Sequence, residues 1–187
     1  MRCFLAVPLA EPALGEAQGV QRAMVERVAG VRWARPETLH LTVHFFGEMG
    51  SDQVVTAIDS VAPVVDGIAP FDVALGRLGA FPSRGAPRVL WLGPDHEITA
   101  LTALARDCRA ALQSAGFDVE SRPYQPHCTL GRPRTGWSEP ARQAWESVRS
   151  EPLPLLAFCA TRVVLYESRT APGGAVYTEH TSLPFSR

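Results

Sequence analysis

Two copies of one short pattern constrain this chain more than any other feature. His40-Leu-Thr-Val43 and His127-Cys-Thr-Leu130 both read His-x-Thr followed by an aliphatic residue, each within a β-like run. A strand sends residues i and i+2 to the same face. His40 therefore shares a face with Thr42, and His127 with Thr129, while Cys128 turns away from His127. The motifs stand 87 residues apart (127 − 40 = 87), in halves of similar length. A single His-x-Thr is common by chance, but two in matching strand contexts are far more specific. Two imidazoles and two hydroxyls facing each other across a cleft can perform acid–base chemistry on a phosphate.

The organisation around the motifs is α+β. In the first half, residues 2–8 read as a strand and 11–29 as a helix with an apolar stripe stopped by Gly30. Residues 38–46 carry the first motif, closed by Gly47. A helix runs from the N-cap Ser51 to about Val65, with Pro63 as an early stop. Phe71–Phe81 and Arg88–Leu92 are then two strands flanking a Pro- and Gly-rich loop. The second half repeats the scheme. Asp95 caps a helix whose apolar face includes Ile98, Leu101, Leu104, Ala105, Cys108 and Leu112, with Gly116 as terminator. A short strand is expected over 117–121, the second motif strand over 127–132, and a helix from Ser138 and Pro140 to Arg149. A hairpin closes the chain: Leu155–Ser168, the turn Thr170-Ala-Pro-Gly173-Gly, and Ala175–Leu183. Short connections predict a single domain, 1–187, of two quasi-equivalent lobes, each giving one motif.

Composition narrows the function. With 187 residues, 46% hydrophobic and 20% charged, the chain is an ordinary globular one. Its net charge of −1 excludes a bulk nucleic-acid binder, so any RNA contact must be local and use a few arginines. No stretch reaches the roughly 18 apolar residues of a membrane span. Glu11 and Glu16 follow the short N-terminal apolar run too closely for a signal peptide, so a cytoplasmic location is expected; a monomer is expected as well, since no protein partner is implied. Cys3, Cys108, Cys128 and Cys159 form no Cys-x-x-Cys pair and read as buried reduced thiols. No acidic cluster has metal-ligand spacing, so neither metal nor cofactor is expected.

An unperturbed histidine titrates near 6.5, so near neutrality one member of a pair can hold a proton that the other lacks. Opening a cyclic phosphodiester needs both forms, on opposite sides of phosphorus, because attack and departure are roughly in line. The threonine hydroxyls can donate to a nonbridging oxygen.

In these residues the chain resembles the two-histidine phosphoesterases, in particular the bacterial and archaeal RNA 2′,3′-cyclic phosphodiesterases, also called 2′-5′ RNA ligase-like proteins. The matching blocks occur in family order. They are Arg2-Cys-Phe-Leu-Ala-Val7, Trp33-Ala-Arg-Pro-Glu-Thr-Leu-His40-Leu-Thr-Val-His-Phe-Phe-Gly47, Gly79-Ala-Phe-Pro82, Pro87-Arg-Val-Leu-Trp-Leu-Gly93, Pro126-His-Cys-Thr-Leu-Gly-Arg132, and Tyr166-Glu-Ser168 with Gly173, Gly174 and Tyr177. The resemblance implies a bilobal fold with two antiparallel sheets facing across a central cleft and helices outside. It implies hydrolysis of RNA 2′,3′-cyclic phosphate ends to 2′-phosphates, with reversible 2′-5′ ligation as a related activity. It assigns His40 as proton donor, His127 as proton acceptor, and Arg132 as a phosphate ligand.

His44 departs from the family, where many relatives carry Lys. Alternation puts it on the face of His40 and Thr42, as a surface or supporting residue near the cleft floor. His96 and His180 match no motif position and read as surface residues. Trp33, Phe45, Phe46 and Tyr124 are candidates for base stacking, although core packing suits both phenylalanines better. Arg84 and Arg88 flank the central turn, within reach of RNA phosphates or simply solvated. A noncatalytic RNA-end-binding module is the alternative class, which the intact motifs disfavour. The substrate stays open between tRNA fragments, other oligonucleotides and a small cyclic nucleotide.

Overall fold

The computed structural model describes residues 1–172 and 174–186; Gly173, counted above in the closing turn, and Arg187 lie outside. In chain order the elements are β1 (Arg2–Pro8), α1 (Ala13–Arg27), β2 (Val31–Trp33), a 3-10 turn (Pro36–Thr38), β3 (His40–Glu48), α2 (Ser51–Asp66), β4 (Phe71–Leu75), β5 (Arg77–Phe81), β6 (Val89–Gly93), α3 (Thr99–Ser114), β7 (Cys128–Pro133), α4 (Glu139–Arg149), β8 (Leu156–Ala160), β9 (Arg162–Ala171) and β10 (Gly174–Pro184). The expected α+β architecture, antiparallel throughout, is what these elements build.

The strands follow the order β10-β9-β1-β3-β7-β6-β5, with β2 laid against β7; β4 and β8 pair separately. The motif strands β3 and β7 meet at the centre through one residue pair, Leu41 opposite Cys128. The assemblies on either side of this seam do not correspond to the two halves of the sequence. β1 and β3 are completed by the C-terminal β9 and β10, and the early strand β2 joins β7.

Alternation decides which side of the sheet is core. Cys3, Leu5 and Val7 of β1, Leu41 and Val43 of β3, and Cys128 and Leu130 of β7 are at most 1% exposed and belong to one contiguous cluster with the helices. Val54, Ala57, Val61 and Val65 of α2 and Leu101, Leu104, Ala105, Cys108 and Leu112 of α3 recur at helical spacing and join that cluster. Removing such area from water, at roughly 25 cal/mol per Å2, anchors the back of the sheet and leaves its other face free for function.

Several local expectations are corrected. Gly50, not Ser51, occupies the α2 N-cap, and its N–H donates to Gln53 Oε1 at 2.9 Å. The helix runs through Pro63, whose position is exposed, so water can serve the Asp59 carbonyl that loses its partner. The single strand expected over 71–81 breaks at Gly76: β4 pairs with β8, and β5 pairs with β6. Asp95 does not cap α3, which begins four residues later behind Ile98. Residues 117–121 form no strand; after the turn at Gly116, Phe117 bonds back to the Leu112 carbonyl and packs 5.6 Å from Phe46. The closing hairpin is preceded by its own break at Thr161, which separates β8 from β9. Ser138 caps α4 as expected, accepting from the Ala141 N–H. Cys3, Cys108 and Cys128 are buried thiols, whereas Cys159 is exposed on the β4–β8 pair.

Close packing behind the second motif depends on absent side chains. A Cβ at Gly79 would lie 2.2 Å from the Trp91 ring, and one at Gly131 would lie 2.6 Å from Val31. The first lets the Trp91 indole sit flat across β5; the second lets β2 close on β7.

Candidate active site

Each motif histidine is seated the same way. His40 opens β3, and its Nδ1 lies 2.7 Å from the Thr38 carbonyl; His127, immediately before β7, has Nδ1 2.8 Å from the Gln125 carbonyl. Both contacts reach back two residues. A carbonyl only accepts, so each Nδ1 carries the hydrogen and each Nε2 is the working nitrogen. His40 Nε2 also lies 3.1 Å from Thr42 Oγ1. Aromatic rings hold both imidazoles. Phe4 stands 4.7 Å and Tyr177 5.4 Å from His40, and Phe81 meets His127 edge-on at 4.9 Å.

A β-bulge follows each motif, and it corrects the assignment of His44. Opposite Thr42 stands Ala6, but the next residue of β1, Leu5, stands opposite His44, so Val43 is extra. Likewise Trp91 stands opposite Thr129, and Leu90 opposite Gly131, so Leu130 is extra. Each extra residue resets the alternation. His44 turns to the back of the sheet beside the core residue Leu5, where it is 4% exposed and packs edge-on to Phe46 at 4.6 Å. It is not on the surface, but together with Val43 it borders the buried side of the groove around His127, so the expected place near the cleft floor holds. The positions that do rejoin the motif face are Phe45 and Arg132, three residues after each threonine.

These side chains line two connected grooves. The first, of about 490 Å3, takes in His40, Thr42, Thr129 and Arg132. The second, of about 800 Å3, takes in His127 and shares Thr42, Phe45 and Arg132 with the first. Arg2, Arg32 and Arg35 join Arg132 along the first groove, where no Asp or Glu side chain intrudes. Among the described residues none of these four arginines is in a salt bridge. A protein of net charge −1 thus presents a strongly positive cleft, suited to a polyanion.

The same burial disfavours a proton on the histidines of the free protein. Burial pushes His40 down to about 4, partly offset by its Thr38 carbonyl bond and reinforced by His127. His127 is lowered for the same main reason, burial, with Arg132 adding to it. Among the described residues no three His, Cys, Asp or Glu side chains converge on a common point.

The sequence model of the 2′-5′ RNA ligase superfamily matches residues 10–172. The chain belongs to this superfamily. An RNA 2′,3′-cyclic phosphodiesterase of Geobacillus stearothermophilus is 33% identical over 168 residues, 88% of this chain and 51% of that protein, so the chain spans about half the length of that relative. An RNA 2′,3′-cyclic phosphodiesterase of Methanothermobacter thermautotrophicus is 30% identical over 179 residues, 96% of each chain. The crystal structure of E. coli LigT superimposes with a TM-score of 0.79 at 22% identity, over 100% of this chain and 98% of that one, a likeness of fold.

Within this superfamily frame, Thr42 and Thr129 reach the motif face as alternation suggested, and Arg132, named through the resemblance, reaches it because the bulge at Leu130 resets the alternation. Trp33 borders the first groove and Tyr124 the second. Phe45, expected in the core, is instead 49% exposed at the junction of both, with the Arg2 guanidinium 4.9 Å above its ring. Phe46 does pack inward. Arg84 borders neither groove; Arg88 borders the second, its main-chain N–H donating to the carbonyl of Phe81, the residue that packs on His127. His96 and His180 are exposed, as expected. Sequence reasoning missed Arg2, Arg32, Arg35 and the Phe4–Tyr177 cage. Arg2 and Phe4 were discoverable, since they alternate with Ala6 along β1.

Proposed function

We propose that this protein hydrolyses RNA 2′,3′-cyclic phosphate ends to 2′-phosphomonoesters by paired histidine acid–base catalysis without a metal ion. The observation that supports it most is the matched seating of His40 and His127, each with Nδ1 tied to a carbonyl, which leaves Nε2 as the nitrogen turned to the substrate, with the Thr42 hydroxyl beside that of His40. His127 Nε2 takes a proton from water as its oxygen attacks phosphorus. His40 Nε2 gives a proton to the departing 3′ oxygen on the opposite side. One water is consumed, the P–O3′ bond breaks, and the two histidines end with exchanged protonation, reset through solvent. Thr42 and Thr129 donate to the nonbridging oxygens, and the Arg132 fork holds the phosphate. The relatives named RNA 2′,3′-cyclic phosphodiesterase fit this reading. Run in the same direction with a 5′-hydroxyl in place of water, the same pair forms a 2′-5′ linkage and frees the 3′-hydroxyl; run backwards, it cleaves that linkage. A single cytoplasmic, monomeric domain of two lobes, each giving one motif, completes the proposal.

The test is an RNA ending in 2′,3′-cyclic phosphate, incubated with excess chelator and followed by phosphorus NMR. A 2′-phosphate is expected at undiminished rate. A 3′-phosphate would exchange the sugar oxygens assigned to the two histidines, and activity that returns only with a divalent ion would end the metal-free scheme.

The depressed histidines also move the expected pH dependence away from neutrality. The base must be neutral and the acid protonated, so kcat/KM rises as His127 loses its proton and falls as His40 loses its own. Because His40 sits near 4 in the free protein and His127 below its ordinary value, the maximum of kcat/KM should lie on the acidic side of 6.5. A bound phosphate anion favours the imidazolium, so kcat should peak at higher pH than kcat/KM. Coincident profiles would show that substrate charge does not load His40. The limbs belong to the coupled pair.

A further inference from the structure

We propose that a third groove, continuous with the histidine cleft, binds the body of a single-stranded RNA, so that the preferred substrate is an oligonucleotide and not a free cyclic nucleotide. This rests on the activity proposed above and names its substrate class. The groove, of about 690 Å3, lies where β7 leaves the sheet and β6 enters it. Its charged lining is Arg88, Arg134, Arg142 and Glu139. Glu139 is taken by Arg142 at 2.8 Å, and among the described residues neither Arg88 nor Arg134 has an ion-pair partner.

Continuity gives the direction. Arg88 borders both this groove and the one that holds His127, and Arg132 borders the His127 and His40 grooves together. The path runs from His127, just before β7, past Arg132 to Arg134, just after it, seven steps of at most about 3.3 Å, roughly 20 Å. That is longer than one nucleotide. Spaced cations along such a path match a phosphodiester backbone, and the partly buried Trp137 ring, its Nε1 donating to the Ala29 carbonyl at 2.7 Å, stands beside them. Backbone-tracking cations with an aromatic ring are the ingredients of sequence-tolerant single-strand binding. The sequence has 18 basic residues, all of them arginine, the side chain whose planar fork suits phosphate and stacks on bases.

The decisive comparison sets a cyclic-phosphate mononucleotide against an octanucleotide with the same end, in wild type and in the variant Arg134→Glu, whose residue borders the third groove and neither histidine groove. Wild type should show kcat/KM at least about 10-fold higher for the octamer, and the variant should lose that gain while keeping its mononucleotide rate. The lost phosphate contact should also flatten the salt dependence of octamer binding by about 0.7 in log–log slope, the value per contact for single strands. Equal kcat/KM for both substrates in wild type, a length gain that survives in the variant, or proportional loss on both substrates would overturn the proposal. Fluorescence anisotropy of a labelled octamer ending in 2′-phosphate reads the groove without turnover. There, unchanged affinity in the variant overturns the groove, whereas weakened binding with no hydrolysis of either substrate would overturn the catalytic reading alone.

Discussion

Replacing either His40 or His127 by alanine is expected to lower turnover by about 10²–10⁴-fold, the usual worth of a positioned acid or base. The double variant should be far less impaired than the product of the two effects, because neither histidine completes the displacement alone. Thr42→Ala and Thr129→Ala should each cost less. The pH profile separates chemistry from packing, since His40 fills a cage of Phe4 and Tyr177 and His127 abuts Phe81. Each single variant should lose one limb of the bell. A variant that folds normally and keeps near-normal turnover removes that histidine from the mechanism, and strictly multiplicative losses would mean that the two act independently.

The other large effect concerns stability in acid and falls on His44. Burial holds its imidazole down to about 4, with Arg109 adding to the shift and Glu120 opposing it. The unfolded chain takes up this proton near 6.5 and the folded chain only near 4, so the unfolded state binds more protons between those values. Stability is therefore intact above pH 6.5 and falls with decreasing pH through that window, by about 3 kcal/mol in all at 1.36 kcal/mol per unit. His44→Leu removes the titration and also an Nε2 that has no hydrogen-bond partner among the described residues. At pH 7.5 the variant should be at least as stable as wild type. Between pH 7.5 and 4 it should lose about 3 kcal/mol less, read from urea midpoints. Parallel losses in the two proteins would show that His44 is hydrated or already charged in the native state.

The two cases differ in how far sequence could reach. The His-x-Thr spacing placed both histidines and both threonines because two residues of strand suffice for the argument. Alternation fails at the first insertion. One extra residue at Val43 buries His44 and exposes Phe45 at the groove, and nothing in the local composition marks it. Strand β2, three residues long, is too short to carry a period. The pairing of β1 with β9 and of β2 with β7 is a tertiary choice that gathers Arg2, Arg32, Arg35 and Arg132 from three separate stretches of chain. Net charge near zero hid that gathering, because a sum over the chain says nothing of where the charges stand.

The lone Leu41–Cys128 pair has a mechanical consequence. Ladder bonds make a sheet stiff within each set of strands, and here the stiffness is interrupted along the line that separates the two imidazoles. Each histidine is fixed locally by its own carbonyl and its own aromatic neighbours, within one set of strands. The span between them is governed by a joint of a single rung, backed by helices. A change in that span would break few backbone bonds and would leave both seats as they are, and it is this span that the displacement proposed above has to bridge.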